Sequence, residues 1–191
     1  MTSTIQPSET PRPLIAICAI SLAWVVAAIE LATPGLLWGL EYPAMLDALL
    51  ADNAASMPML GVTHYMPSKL VMVTVVGLDC LIALTAAAPL FFTGLLFKNL
   101  QPSHAWTDLN IRWLRSIGIL CLCMPLIKSL AGLLQSLALS WDLPSGNGGA
   151  NLGLDLSSAA LSQIAMGLLL CAFASVMRNA KSIHDENKCY V

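Results

Sequence analysis

Four long apolar stretches confine what this chain can become: Leu14–Leu40, then 70–97, 116–141 and 156–177. Each exceeds the ~20 residues that an α-helix needs to cross about 30 Å of hydrocarbon. Inside a bilayer every backbone N–H and C=O must find its partner within the protein, which restricts such stretches to helices. Composition agrees: 57% of the 191 residues are hydrophobic and only 10% are charged, against roughly a quarter charged in a soluble domain. The expected fold is an all-α integral membrane protein, four transmembrane helices in an antiparallel bundle. It divides into an N-terminal tail over 1–13, a transmembrane domain over 14–177 and a C-terminal tail over 178–191. Pro34, Pro89 and Pro125 are candidate kinks, because proline removes a backbone donor and crowds the preceding turn.

Basic residues orient the spans, since Lys and Arg near helix ends stay on the cytoplasmic side. Arg12, Lys98, Arg112, Arg115, Arg178, Lys181 and Lys188 fall on one side, seven of the nine basic residues in the chain. The connection 41–69 carries only Lys69 and the connection 142–155 carries none. Both termini and the middle connection are therefore expected in the cytoplasm. Residues 1–13 hold Glu9 and Arg12 but no basic cluster, so they make a poor signal-peptide start.

Three ionisable residues interrupt the spans: Glu30 in the first, Asp79 in the second and Lys128 in the third. An ion in hydrocarbon costs at least ~2.5 kcal/mol on insertion scales, so such groups face a protein interior, find partners and mark function. Small residues let membrane helices approach, and each span has a stripe of them beside its polar group. Ala23 and Ala27 lead to Glu30; Asp79 leads to Ala83, Ala86 and Ala87. Cys121, Lys128, Gly132 and Gln135 share a face of the third span, and Ala160, Gln163, Gly167, Cys171 and Ala174 share one of the fourth. Counted from the outer ends at ~1.5 Å per residue, Glu30, Asp79, Lys128 and Gln163 lie roughly 15, 14, 20 and 11 Å deep. These four are expected to converge on one polar core, with Lys128 paired to Asp79 or Glu30. A structural ion pair and a proton- or ligand-responsive site are both open readings of that core.

Two connections carry helical-period apolar stripes of the kind that lie in a membrane interface: Tyr42, Met45, Leu46, Leu49 and Leu50, an outer lid, and Trp106, Leu109, Trp113, Leu114 and Ile117, flanked by Arg112 and Arg115. Several chemistries lack their residues. The cysteines form no C-x-x-C pair, and buried thiols act as small hydrophobes. His64, His104 and His184 fall in connections or tail, so no pair can hold an intramembrane haem, and no cofactor is expected. The Gly-rich run 144–153 lacks Walker spacing. With net charge −2 and no basic surface, direct nucleic-acid binding is not expected. Nor is a nucleophile or metal motif of an enzyme present.

The segments Gly94-Leu-Leu-Phe97-Lys-Asn99 and Asn110-Ile-Arg112-Trp-Leu-Arg115-Ser-Ile-Gly118, with the ending from Ala174 through Arg178 to Asp185-Glu186-Asn187 and Val191, resemble a bacterial family of small four-span membrane proteins, domain of unknown function 2975. Lys188-Cys189-Tyr190 departs from the family's hydrophobic-polar ending. The resemblance implies a bacterial inner-membrane location and a small helix-turn-helix regulator as partner, docked on Arg112, Arg115, Asp185, Glu186 and Asn187. The expected role is thus a regulatory or accessory membrane component. Its rival is a small proton-coupled transporter, which four spans could build only as a homodimer.

Overall fold

A computed structural model describes residues 14–54, 57, 60, 65–99, 107–143 and 157–188, with the side chains of 184, 187 and 188 excepted. Expectations for residues 1–13, His64, His104, Trp106, the run 144–153, residues 189–191 and the side chains of His184 and Asn187 fall outside them. The described residues form five helices and no strand: α1 Leu14–Leu40, α2 Tyr42–Ala54, α3 Lys69–Asn99, α4 Asp108–Trp141 and α5 Ser158–Lys188. All but α2 are long and apolar enough to cross a membrane, so the fold is that of a multi-pass membrane protein. Two helices outrun the apolar stretches: α4 begins eight residues before 116, and α5 continues past 177 to Lys188. Thr107 caps α4 by accepting from the Asn110 N–H. Helices α1, α3 and α4 continue through Pro34, Pro89 and Pro125 respectively.

Neighbouring spans run antiparallel. Along α1 and α3, Trp24 meets Gly94 while Trp38 meets Asp79; along α3 and α4, Phe92 meets Trp113 while Ser68 meets Asp142. The packing follows chain order, α1 on α3, α3 on α4, α4 on α5, and no comparable contact returns α5 to α1. The spans therefore form a row with an open flank.

Small residues decide how closely the members approach, as expected for membrane helices. Ala23 and Ala27 of α1 and Ala83, Ala87 and Gly94 of α3 are buried. A Cβ on Gly94 would overlap the Trp24 indole, so this glycine is the seat for that ring. Between α4 and α5 the backbones themselves touch. A Cβ on Gly118 would lie 2.9 Å from the Gly167 carbonyl oxygen, and one on Gly167 would lie 2.8 Å from that of Gly118. Ala160, Gly167 and Ala174 of the anticipated α5 stripe are buried, while Gln163 and Cys171 are partly so.

At one end, α2 caps the row. Leu46 is buried, and Met45, Leu49 and Leu50 pack on a cluster of Trp38, Met57, Leu60, Val71, Val75 and Leu139. The apolar stripe read in this connection is thus a lid onto protein. Trp113, of the second stripe, belongs to α4 and packs on Phe92, ring centroids 5.0 Å apart.

Candidate functional site

Asp79 stands at i+4 from Val75 and i−4 from Ala83, on the buried face of α3, where a side chain can reach α1 and α4 together. Its carboxylate uses both oxygens. Trp38 Nε1 of α1 donates to Oδ2 at 2.7 Å, and Gln135 Nε2 of α4 donates to Oδ1 at 2.7 Å. One side chain thereby ties three spans. Trp38 also belongs to the apolar cluster beneath α2, so the polar contact lies directly under a greasy plug. Low dielectric strengthens such charge-assisted bonds and raises the cost of leaving either donor without an acceptor.

Above the plug a second clasp joins α3 to α4. Asp142, just past α4, accepts the Ser68 backbone N–H at 2.6 Å and the Tyr65 hydroxyl at 3.4 Å. Ser68 in turn accepts from the Val71 N–H in the first turn of α3. Asp142 thus places negative charge at the positive end of α3's dipole. Hydrogen bonding from Ser68 holds the Asp142 carboxyl below its usual range, and desolvation, reinforced by Asp142, pushes Tyr65 up to about 12.

Glu30 and Lys128 do not join Asp79. Both side chains are exposed, and among the described residues neither has an ion-pair or hydrogen-bond partner. The expected pairing of Lys128 with Asp79 or Glu30 is therefore absent, for two reasons. Lys128 lies two turns of α4, about 10 Å, from the Gln135 that reaches Asp79, and α1 and α4 each pack on α3 without a comparable contact to each other. Gln163 is partly buried on α5 and makes no hydrogen bond to the other three. The polar core consequently consists of Asp79 with Trp38 and Gln135. Gln135 shows in the sequence, on the stripe with Lys128; Trp38 has only its register, one turn beyond the buried Pro34.

The unpaired ions still share a level. Helices α1 and α4 both run toward the α2 end, with Glu30 eight residues before Trp38 and Lys128 seven before Gln135. At ~1.5 Å per residue both lie about 10–12 Å from the Asp79 level on the side away from α2. Lys128 projects about 20° from Gln135, which faces α3, and about 80° from Gly118, which faces α5. It sits in the wedge between its two neighbours.

At the opposite end, Lys181 of α5 forms an ion pair with Asp108 at the start of α4 and lies 4.0 Å from Asp185 one turn on. Arg112, Arg115, Asp185 and Glu186 are all exposed there. Ser182 donates to Glu186 at 3.4 Å.

This arrangement of one short lid helix and four spans with polar termini accompanies a sequence match: the family model described as protein of unknown function DUF2975 covers residues 41–189. The chain belongs to that family. Asp79 and Gln135 fall inside the DUF2975 match, whereas Trp38 lies three residues before it. No curated protein and no solved structure matches the chain.

Proposed function

We propose that this chain is a regulatory or accessory protein of the bacterial inner membrane, without enzymatic activity, whose termini lie in the cytoplasm. In this reading the Asp79 contact is a latch that holds α1, α3 and α4 beneath the α2 lid. The cytoplasmic ends of α4 and α5, with Arg112, Arg115, Asp185, Glu186 and Asn187, receive a small helix-turn-helix regulator, as the family resemblance implies. The observation carrying the reading is the double engagement of Asp79: breaking it releases two donors on two helices at once, which makes a discrete change of state instead of a graded one. Exposed charge at the Lys181 end supports docking there.

Removing residues 182–191 tests this. Ser182, Ile183, Asp185 and Glu186 are exposed, so the spans should keep their thermal stability in detergent. Recovery of a DNA-binding partner, identified by mass, should be lost. A second reading, a homodimeric proton-coupled carrier, draws on the same carboxylate, held within the span by two neutral donors. Proton-coupled flux in vesicles that survives the truncation, fails with Asp79→Asn and occurs with no stable partner would replace the regulatory reading by this one.

A further inference from the structure

The helix row bears two ions of opposite sign at one membrane level, each exposed and each without a partner among the described residues. Within the chain they do not pair, and α1 and α4 each pack on α3 without a comparable contact to each other. Hydrocarbon is a poor neighbour for both. Beside Lys128, one turn on and therefore on the same face, Gly132 has nothing within 4 Å of where its Cβ would be. That opening admits another helix backbone closely, in the manner of small-residue contacts between membrane helices.

We propose that a second copy of this chain packs on the row, related by a two-fold axis along the membrane normal, with Glu30 of each copy opposite Lys128 of the other. The symmetry makes the argument specific. A two-fold along the normal leaves every residue at its own depth, so residues i and j can pair across it only if they share a level. Glu30 and Lys128 do, about 10–12 Å from the Asp79 level on the same side. Such an axis also repeats the contact, turning one charge pair into two. Charge complementarity thus selects another copy of the same chain as the occupant. The inference rests on helix order and register, not on the function proposed above.

Charge exchange tests it in the full-length protein. Glu30→Lys and Lys128→Glu are made in separately tagged chains, and subunit number is counted by single-molecule photobleaching in phosphatidylethanolamine/phosphatidylglycerol vesicles. Wild type forms dimers. Either variant alone loses dimer at least about tenfold, because both facing pairs become like-charged. Mixed together, the two variants form heterodimers, since every facing pair is then opposite in sign; the doubly exchanged chain dimerises like wild type. Rescue by mixing also shows that the single variants are folded. Wild type that stays monomeric at every protein-to-lipid ratio, or single variants that pair with each other no better than with themselves, overturns the proposal.

Discussion

The α4–α5 junction and the α1–α3–α4 junction hold helices together by opposite means. In the first, Gly118 and Gly167 bring backbone to backbone, and any added carbon has nowhere to go. In the second, the helices stand far enough apart for Trp38 and Gln135 to reach a carboxylate placed between them. A backbone contact tolerates polarity changes but no volume; a side-chain latch tolerates small volume changes but no loss of an acceptor. The proposed switching accordingly falls to the latch, because a hydrogen-bonded acid can be let go without rebuilding the helix surface.

The largest effect should come from Asp79→Leu, which leaves the Trp38 and Gln135 donors without an acceptor. At ~1–3 kcal/mol for each stranded donor, the loss is about 4 kcal/mol. Thermal unfolding in detergent measures it, and a loss below ~1 kcal/mol would show that the latch carries no stability. Asp79→Asn should cost less, since the amide oxygen can still accept one of the two bonds.

Gly118→Val comes next, at about 2–3 kcal/mol for overpacking against the Gly167 carbonyl. Its counterpart is Gly132→Ala, which meets open space and should shift stability by no more than ~1 kcal/mol. Equal melting temperatures for the two glycine variants would show that the close backbone approach at Gly118 does not limit volume there.

The smallest effect should be the pH dependence of the Asp142 clasp. Its carboxyl is depressed in the folded protein, so its contribution is fully present above the unfolded value near 3.8 and disappears as pH falls through the lower folded value. Comparing wild type with Asp142→Asn, the stability gap should be full at about pH 6 and shrink below about pH 4. Tyr65 has the opposite sign: raised from 10.0 to about 12, it contributes below pH 10 and loses that contribution as pH rises toward 12. A gap that persists at acid pH would place the stabilising contact elsewhere.

Much of this architecture can be read in advance because hydrocarbon permits so little else. The first apolar stretch and α1 share both ends, and α3 differs from its stretch by one residue at the start and two at the finish. The polar extension of α5 past 177 is hidden from hydropathy, since it continues as helix beyond the apolar run. Asp79 stands out as an acid in a span and Gln135 as a polar member of a stripe, yet nothing in the sequence joins them or adds Trp38. Charge alone favours Lys128, while the actual contacts depend on helical phase: Gln135 lies only about 20° from Lys128 around α4, and one points at Asp79 while the other enters the wedge. Neighbour order is the second hidden quantity. Four amphipathic stripes suit a closed ring or an open row equally well, and in the open row Glu30 and Lys128 are exposed.

Packing strictly in chain order also bears on how the molecule is made. Each span docks on the one synthesised immediately before it, so no segment must wait in the bilayer for a partner encoded far downstream. Contacts local along the chain are the quick ones to form, and growing chains assemble from the N-terminus. Assembly can thus keep pace with insertion, and among these helices α5 seats last, through Gly118 and Gly167, with Lys181 reaching Asp108.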